Sequence, residues 1–177
     1  VTFNGKITSI HMDAFSCCEK LNSILLPETL NEIEESAFYK CITLQYIVIP
    51  KNVSEISSRV FHDCNQLKSI EIQGNITTIG AVAFSGCFEL QPFEIPESVE
   101  QIKSTAFSGC LSFDSIVIPS KVTEIDDYFF LNCHNLVSIK FMSNIESFGI
   151  RSFENCSKLA SIDIQESVNS IGQSCFN

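Results

Sequence analysis

The chain of 177 residues has no tryptophan, two methionines, seven glycines and five prolines. Its few, scattered glycines form no phosphate-cradling loop: neither G-x-x-x-x-G-K-[ST] nor a dinucleotide fingerprint occurs, and no cofactor is expected. No apolar run approaches the ~18 to 20 residues that a membrane span needs, so this segment is not expected to insert into a bilayer. The first residues also lack the basic-then-apolar pattern of a signal peptide. Basic residues are scarce, eleven against twenty-one acidic ones, for a net charge of -10. Such a surface repels phosphate backbones, which argues against nucleic acid as a partner. Histidine occurs three times, as His11, His62 and His134, with no serine or cysteine and carboxylate grouped beside any of them, so no hydrolytic triad can be drawn. Polar, disorder-prone stretches are missing too: the chain is 45% apolar and 18% charged, within the globular range.

What the chain does have is phenylalanine, cysteine and a beat. Phe15, Phe38, Phe61, Phe84, Phe107, Phe130, Phe153 and Phe176 recur every 23 residues with no insertion or deletion. Cys18, Cys41, Cys64, Cys87, Cys110, Cys133 and Cys156 follow three positions behind. Leu21, Leu44, Leu67, Leu90, Leu136 and Leu159 come three further on, with Phe113 taking the leucine place once. Internal repetition of this kind takes precedence over any residue-level reading, because one repeat cannot cover its own apolar side and must stack on its neighbours.

Within one repeat the apolar spacing changes. Leu21, Ile24 and Leu26 suit a short strand, with Ile24 and Leu26 at period 2, and Pro27 removes a donor and ends it. Ile33, Ala37, Cys41 and Leu44 step by four, four and three, which reads as one face of a short helical turn. Equal coils put strand on strand in a parallel sheet, and the bulkier helical side should splay outward, leaving the sheet concave. Strands are expected around Thr2, Ile24, Ile47, Ile70, Phe93, Ile116, Ile139 and Ile162. Crossovers are expected to be right-handed. Residues 1–177 then form a single domain of seven full coils plus a partial eighth. Neither end shows a polar capping repeat, so the chain is expected to be a slice of a longer array.

The pattern L-x-x-I-x-I-P-x-x-V-x-x-I-x-x-x-A-F-x-x-C, seen in "LQYIVIPKNVSEISSRVFHDC" from Leu44 to Cys64, resembles the BspA-like, or treponemal-type, class of leucine-rich repeats. Gln73, Met142 and Gln165 depart from it at the proline, and Phe148 at an isoleucine. The resemblance implies an α/β fold, a right-handed leucine-rich-repeat solenoid with its parallel sheet on the concave face and short helical turns on the convex face. It also implies a surface-exposed or secreted protein that adheres to host matrix or cell-surface proteins. An intracellular scaffold or regulatory receptor module is the alternative. The class shares no catalytic residues, so no enzyme activity is expected and no site is carried over.

The chemistry-bearing residues support the same expectation. Seven of the nine cysteines occupy one inward column, where a free thiol packs as a small apolar group, and parallel side chains make a bridged ladder an unsuitable reading. Cys175, in the alanine column, should be buried, and Cys17 should face outward. A row of single thiols does not converge on one point, so no metal site is expected. Glu71 and Glu94 share a column, as a carboxylate pair would, but repetition on neighbouring strands more often marks a solvated face. Three N-glycosylation sequons, at Asn52, Asn75 and Asn155, add slight support for an extracytoplasmic route.

Two outward columns flank the expected strands: Leu25, Val48, Glu71, Glu94, Val117, Lys140 and Asp163 in one, with Tyr46 and Pro92 among serines in the next. Leu25, Val48 and Tyr46 place apolar surface where the core has no use for it. The expected partner-binding residues are therefore Leu25, Tyr46, Val48, Glu71, Glu94 and Val117, with a protein as the partner.

Overall fold

The structure, a computed structural model, describes Phe3 and residues 5–177. The strand expected around Thr2 falls outside these residues. Counted from the leucine column, the coils run 21–43, 44–66, 67–89, 90–112, 113–135 and 136–158, with partial coils before and after. Among the described residues twelve short strands are laid out along them: β1 (Ser9–Ile10), β2 (Glu32–Ile33), β3 (Tyr46–Ile49), β4 (Glu55–Ile56), β5 (Ser69–Ile72), β6 (Thr78–Ile79), β7 (Gln101–Ile102), β8 (Ser115–Ile118), β9 (Glu124–Ile125), β10 (Ser138–Phe141), β11 (Ser147–Phe148) and β12 (Ser170–Ile171). All strand pairings among the described residues are parallel and in 23-residue register, as Ile47 with Ile70 and Ile116 with Ile139.

Every coil therefore has three sides. The four-residue strands β3, β5, β8 and β10 make the strand side, pairing as β3–β5 and β8–β10. The two-residue strands make a second side, paired as β1–β2, β4–β6–β7 and β9–β11–β12. The third side carries the phenylalanines and cysteines, and there the expected helical turn is corrected, because no helix occurs among the described residues.

Main-chain hydrogen bonding explains the correction. Ala37, Tyr39 and Cys41 donate locally to the carbonyls of Glu34, Ser36 and Phe38 at 3.3, 3.0 and 3.1 Å. The amides between them, of Ser36, Phe38 and Lys40, donate to Ser58, Val60 and His62 of the next coil at 3.1, 3.0 and 2.9 Å. An α-helix would send all of these donors to its own carbonyls and leave none for the neighbour. The chain instead makes a run of turns with a left-handed residue every fourth position, Ser36 at φ 57° and Lys40 at φ 54°. That four-residue beat aims Ala37 and Cys41 inward and imitates helical spacing. The same three inter-coil bonds recur at every junction, down to Arg151 with Gln173, Phe153 with Cys175 and Asn155 with Asn177.

Inside, the phenylalanines form an unbroken spine. Consecutive ring centroids from Phe15 to Phe176 lie 5.2 to 5.8 Å apart, and most pairs are nearly parallel. One buried cluster of isoleucine, leucine, valine, phenylalanine and cysteine surrounds it. Beside the spine runs a thiol ladder in which Cys41, Cys64, Cys87, Cys110, Cys133 and Cys156 each donate to the carbonyl of the phenylalanine 26 residues earlier, at 3.1 to 3.4 Å. That carbonyl also accepts a local amide, Cys18 N–H on Phe15 and Cys41 N–H on Phe38, so the thiol satisfies its second lone pair. The cysteine column thus has a polar reason as well as an apolar one.

All nine cysteines are free; Cys175 is buried and Cys17 exposed, as their columns imply. Burial pushes the Cys41 and Cys156 thiols up to about 12 and those of Cys64, Cys87 and Cys110 well above the ordinary thiol range. In native protein a disulfide-exchange reagent should therefore label Cys17 quickly and Cys18 more slowly, leaving the ladder unlabelled even at about pH 9. Rapid reaction of several further thiols would show that the ladder is open.

The left-handed column before the spine carries poorly suited residues, among them Val82 at φ 62° and Thr105 at φ 63°. A β-branched residue there is strained by roughly 1 to 2 kcal/mol, whereas asparagine visits the region readily. Val82→Asn should raise stability by about 1 kcal/mol, read as a higher urea midpoint; a lower midpoint would refute the assignment.

Candidate functional site: the strand side and its break

The strand side is less regular than the column of expected strands. Strands form around Ile47, Ile70, Ile116 and Ile139. Around Ile24 only a single bridge, Ser23 with Tyr46, is made, and the segments around Phe93 and Ile162 are not strands.

The loss at Phe93 has a local cause. Pro92 stands where Ser69 and Ser115 open β5 and β8, and it brings no donor. Three phenylalanines also crowd this part of the core. Phe93 takes an isoleucine place, Phe113 a leucine place and Phe129 the place held by Ala14, Ala37, Ala83 and Ala106. Phe107 meets Phe113 at 5.6 Å and Phe129 at 5.8 Å, and Phe93 lies 6.2 Å from Phe107 and 6.3 Å from Phe113. Extra volume in a close-packed core must be taken up by moving the backbone. The coils 90–112 and 113–135 are accordingly parted on two sides: β7 does not pair with β9, and no main-chain bond joins residues 91–96 to β8. Among the described residues this is the one junction with no main-chain pairing on either of those sides. Side chains bridge it instead: Glu97 accepts from the Ser120 amide and hydroxyl at 3.2 and 2.9 Å, and Lys121 pairs with Glu100 at 2.7 Å.

The parting opens a hollow of about 520 Å³ on the strand side. Its outward lining is Pro92, Glu94, Ser115, Val117, Ser138 and Lys140, and Phe93, Ile116 and Ile139 also line it. A smaller space of about 270 Å³ marks the same junction on the second side, between Glu100–Lys103 and Val122–Asp126. The half-buried Asp126 borders it, its carboxyl raised by burial more than Lys103 lowers it.

The six residues read from sequence as a binding surface fall into two groups. Leu25 is 73% exposed and Tyr46 45%, while Val48 is only half-buried between them. The Tyr46 hydroxyl donates to Glu71 at 2.9 Å, and Gln73 donates to the other Glu71 oxygen at 2.8 Å. These two donors, Gln73 first, hold the Glu71 carboxyl below its usual range, and the same bond raises the Tyr46 hydroxyl. Glu94 and Val117, the latter 49% exposed, belong to the hollow instead. Glu71 and Glu94 therefore do not act as a pair. Sequence reading missed the hollow itself; Pro92 at a donor position and Phe129 in an alanine column were its signals.

The remaining chemistry-bearing residues fasten coils together. His11 Nδ1 lies 2.8 Å from Glu34, raising the histidine and lowering the carboxyl. His62 and His134 donate through Nδ1 to the carbonyls of Ser85 and Asn155 at 3.0 and 2.9 Å. No cluster of three histidine, cysteine, aspartate or glutamate side chains able to hold a metal ion occurs among the described residues. Among the described residues no helix is long and apolar enough to cross a membrane. All three sequon asparagines are exposed; Asn52 donates to the Glu28 carbonyl at 3.1 Å and Asn155 to Asn132 at 2.8 Å, leaving Asn75 the least engaged.

A parallel β-solenoid with coils of 23 residues, a phenylalanine spine and an outward strand side defines a leucine-rich-repeat protein. The family model for the BspA type leucine rich repeat region matches residues 1–114 and 77–177 in six copies, and the chain belongs to this family. Among solved structures it is similar to a leucine-rich repeat protein of T. pallidum, at 32% identity over 88% of this chain and 72% of that one, with a TM-score of 0.81. A leucine-rich repeat protein of Bacteroides ovatus is 29% identical over 97% of this chain, with a TM-score of 0.74; the chain spans 51% of that protein's length. The pneumococcal vaccine antigen PcpA shares the fold at 18% identity over 85% of this chain and 36% of that one, with a TM-score of 0.56. No curated protein matches the sequence. Leucine-rich repeats of this family are compatible with binding other proteins and are generally non-catalytic.

The unpaired segment at the hollow has a measurable signature. The amides of Phe93, Glu94 and Ile95 should exchange with solvent on the order of a hundredfold faster than the bonded amides of the β3–β5 pair. Equal protection in an NMR exchange experiment would show that the sheet runs through unbroken.

Proposed function

We propose that the chain is a non-catalytic protein-binding module of a cell-surface or secreted protein, adhering to host or neighbouring-cell proteins through the strand side. One observation carries this reading: apolar and aromatic side chains stand outward on a rigid ladder that does not need them, Leu25 at 73%, Tyr46 at 45% and Val117 at 49% exposure. Such groups, ringed by polar ones, are what a protein partner buries. Glu71, held by Tyr46 and Gln73, fixes the polarity of the rim beside them. The net charge of -10 supports a protein partner over an anionic one. The surface location is supported by the BspA-type resemblance and by three exposed sequon asparagines.

One observation favours the alternative of an intracellular scaffold: nine unbridged cysteines are unusual for an oxidising compartment. Antibody labelling of the tagged parent protein on intact, unpermeabilised cells separates the two, since only a surface protein is stained.

Binding itself is tested on immobilised extracellular-matrix proteins and on whole host cells. The Tyr46→Ala, Val48→Ser double variant should bind at least about tenfold less, since central aromatic contacts carry more than ~1 kcal/mol each. Undiminished binding by this variant and by a Leu25→Ser, Val117→Ser variant would exclude the strand side.

A further inference from the structure

We infer that the hollow between the coils 90–112 and 113–135 is a docking site for an extended protein segment that presents a basic, an apolar and an acidic side chain in sequence along the solenoid axis. The inference rests on the strand side being the binding face and names what that face takes at its break.

Charge complementarity selects the occupant. In the outward column that borders the hollow, three successive coils contribute Glu94, Val117 and Lys140, an acid, an apolar group and a base. All three are exposed, and among the described residues neither Glu94 nor Lys140 has an ion-pair or side-chain hydrogen-bond partner, whereas Glu97 and Glu100 nearby are already engaged. A basic group over Glu94 and an acidic one over Lys140 would each meet an unanswered charge, and an apolar side chain between them would cover Val117 and Phe93. The reverse order places like charges together at both ends.

Spacing and volume agree with this. Coils step by ~4.8 Å, so Glu94 and Lys140 stand about 10 Å apart, more where the coils part. An extended segment shows alternate side chains on one face at ~6.8 Å intervals, so residues i, i+2 and i+4 span ~13 Å, within reach of flexible charged side chains. The volume of about 520 Å³ falls in the range of built ligand pockets and accepts one leucine-sized side chain with its flanking backbone. The parted junction also supplies what an intact sheet withholds: the amides of Phe93 and Ile95 have no main-chain acceptor, so carbonyls of a bound segment find donors there.

The test is a titration of the full chain, isotopically labelled for NMR, with the pentapeptide acetyl-Arg-Ser-Leu-Ser-Glu-amide. Amide shifts should centre on Phe93, Glu94, Val117 and Lys140. Two controls, acetyl-Glu-Ser-Leu-Ser-Glu-amide and acetyl-Arg-Ser-Ser-Ser-Glu-amide, should bind at least about fivefold more weakly. Glu94→Lys should weaken the first peptide at least about tenfold, with the rest of the spectrum unchanged to show an intact fold. Equal response to the diacidic control, or no shift at the hollow, overturns the proposal. Shifts confined to Leu25, Tyr46 and Val48 overturn the hollow while leaving the strand-side reading standing; failure of that reading would show instead as undiminished matrix binding by both double variants.

Discussion

A coil of 23 residues with a phenylalanine, a cysteine and several branched aliphatic side chains on its inner aspect has no way to hide them from water by itself. The neighbouring coil must supply the other wall, and it can do so only if both have the same length, so that phenylalanine meets phenylalanine 5.2 to 5.8 Å away. The rest depends on that requirement. Once register is set, the turn side exchanges three main-chain bonds at each junction, and every buried thiol of the cysteine ladder finds the carbonyl one coil back. Local strain at the left-handed positions is tolerated because the bonds on both neighbours over-determine the backbone there.

The same requirement explains where the solenoid fails to be regular. Three oversized aromatics at the junction of 90–112 with 113–135 satisfy burial by demanding room, and the spine step from Phe107 to Phe130, at 5.8 Å, is the widest in the stack. The turn side absorbs the change with its bonds intact, Thr105 to Asp127, Phe107 to Phe129 and Gly109 to Leu131. The two other sides do not. An irregularity of the core thereby becomes a feature of the surface.

Much of this was legible in the sequence. The phenylalanine, cysteine and leucine columns give the period, the parallel register, the inward face and the outward columns. The turn side was misread as helical because four-residue turns and a helical face place Ile33, Ala37 and Cys41 alike over so short a stretch. A better signal lies one residue before five of the seven column cysteines, where Asp63, Gly86, Gly109, Asn132 and Asn155 mark a left-handed backbone that no helix contains. The column of Phe93 predicts a strand there, yet Pro92 removes a donor locally and Phe129 crowds the site from the neighbouring coil, which no single repeat reveals. Of the candidate surface, exposure at Leu25 and Tyr46 followed from period 2 alone, whereas the hollow beside Glu94 and Val117 needed the packing of residues more than 30 positions away.

The uninterrupted bonding along the turn side has a mechanical corollary. Where two edges of a junction are joined by side chains alone and the third is latched by the main-chain bonds of Thr105, Phe107 and Gly109, rotation is easiest about the latched edge, as at the spine of a book. Flexing about that line changes the width of the mouth bordered by Glu94 and Lys140 and leaves the aromatic stack in contact. Tension applied along the array would thus be transmitted to the opening selectively, without sliding any coil out of step.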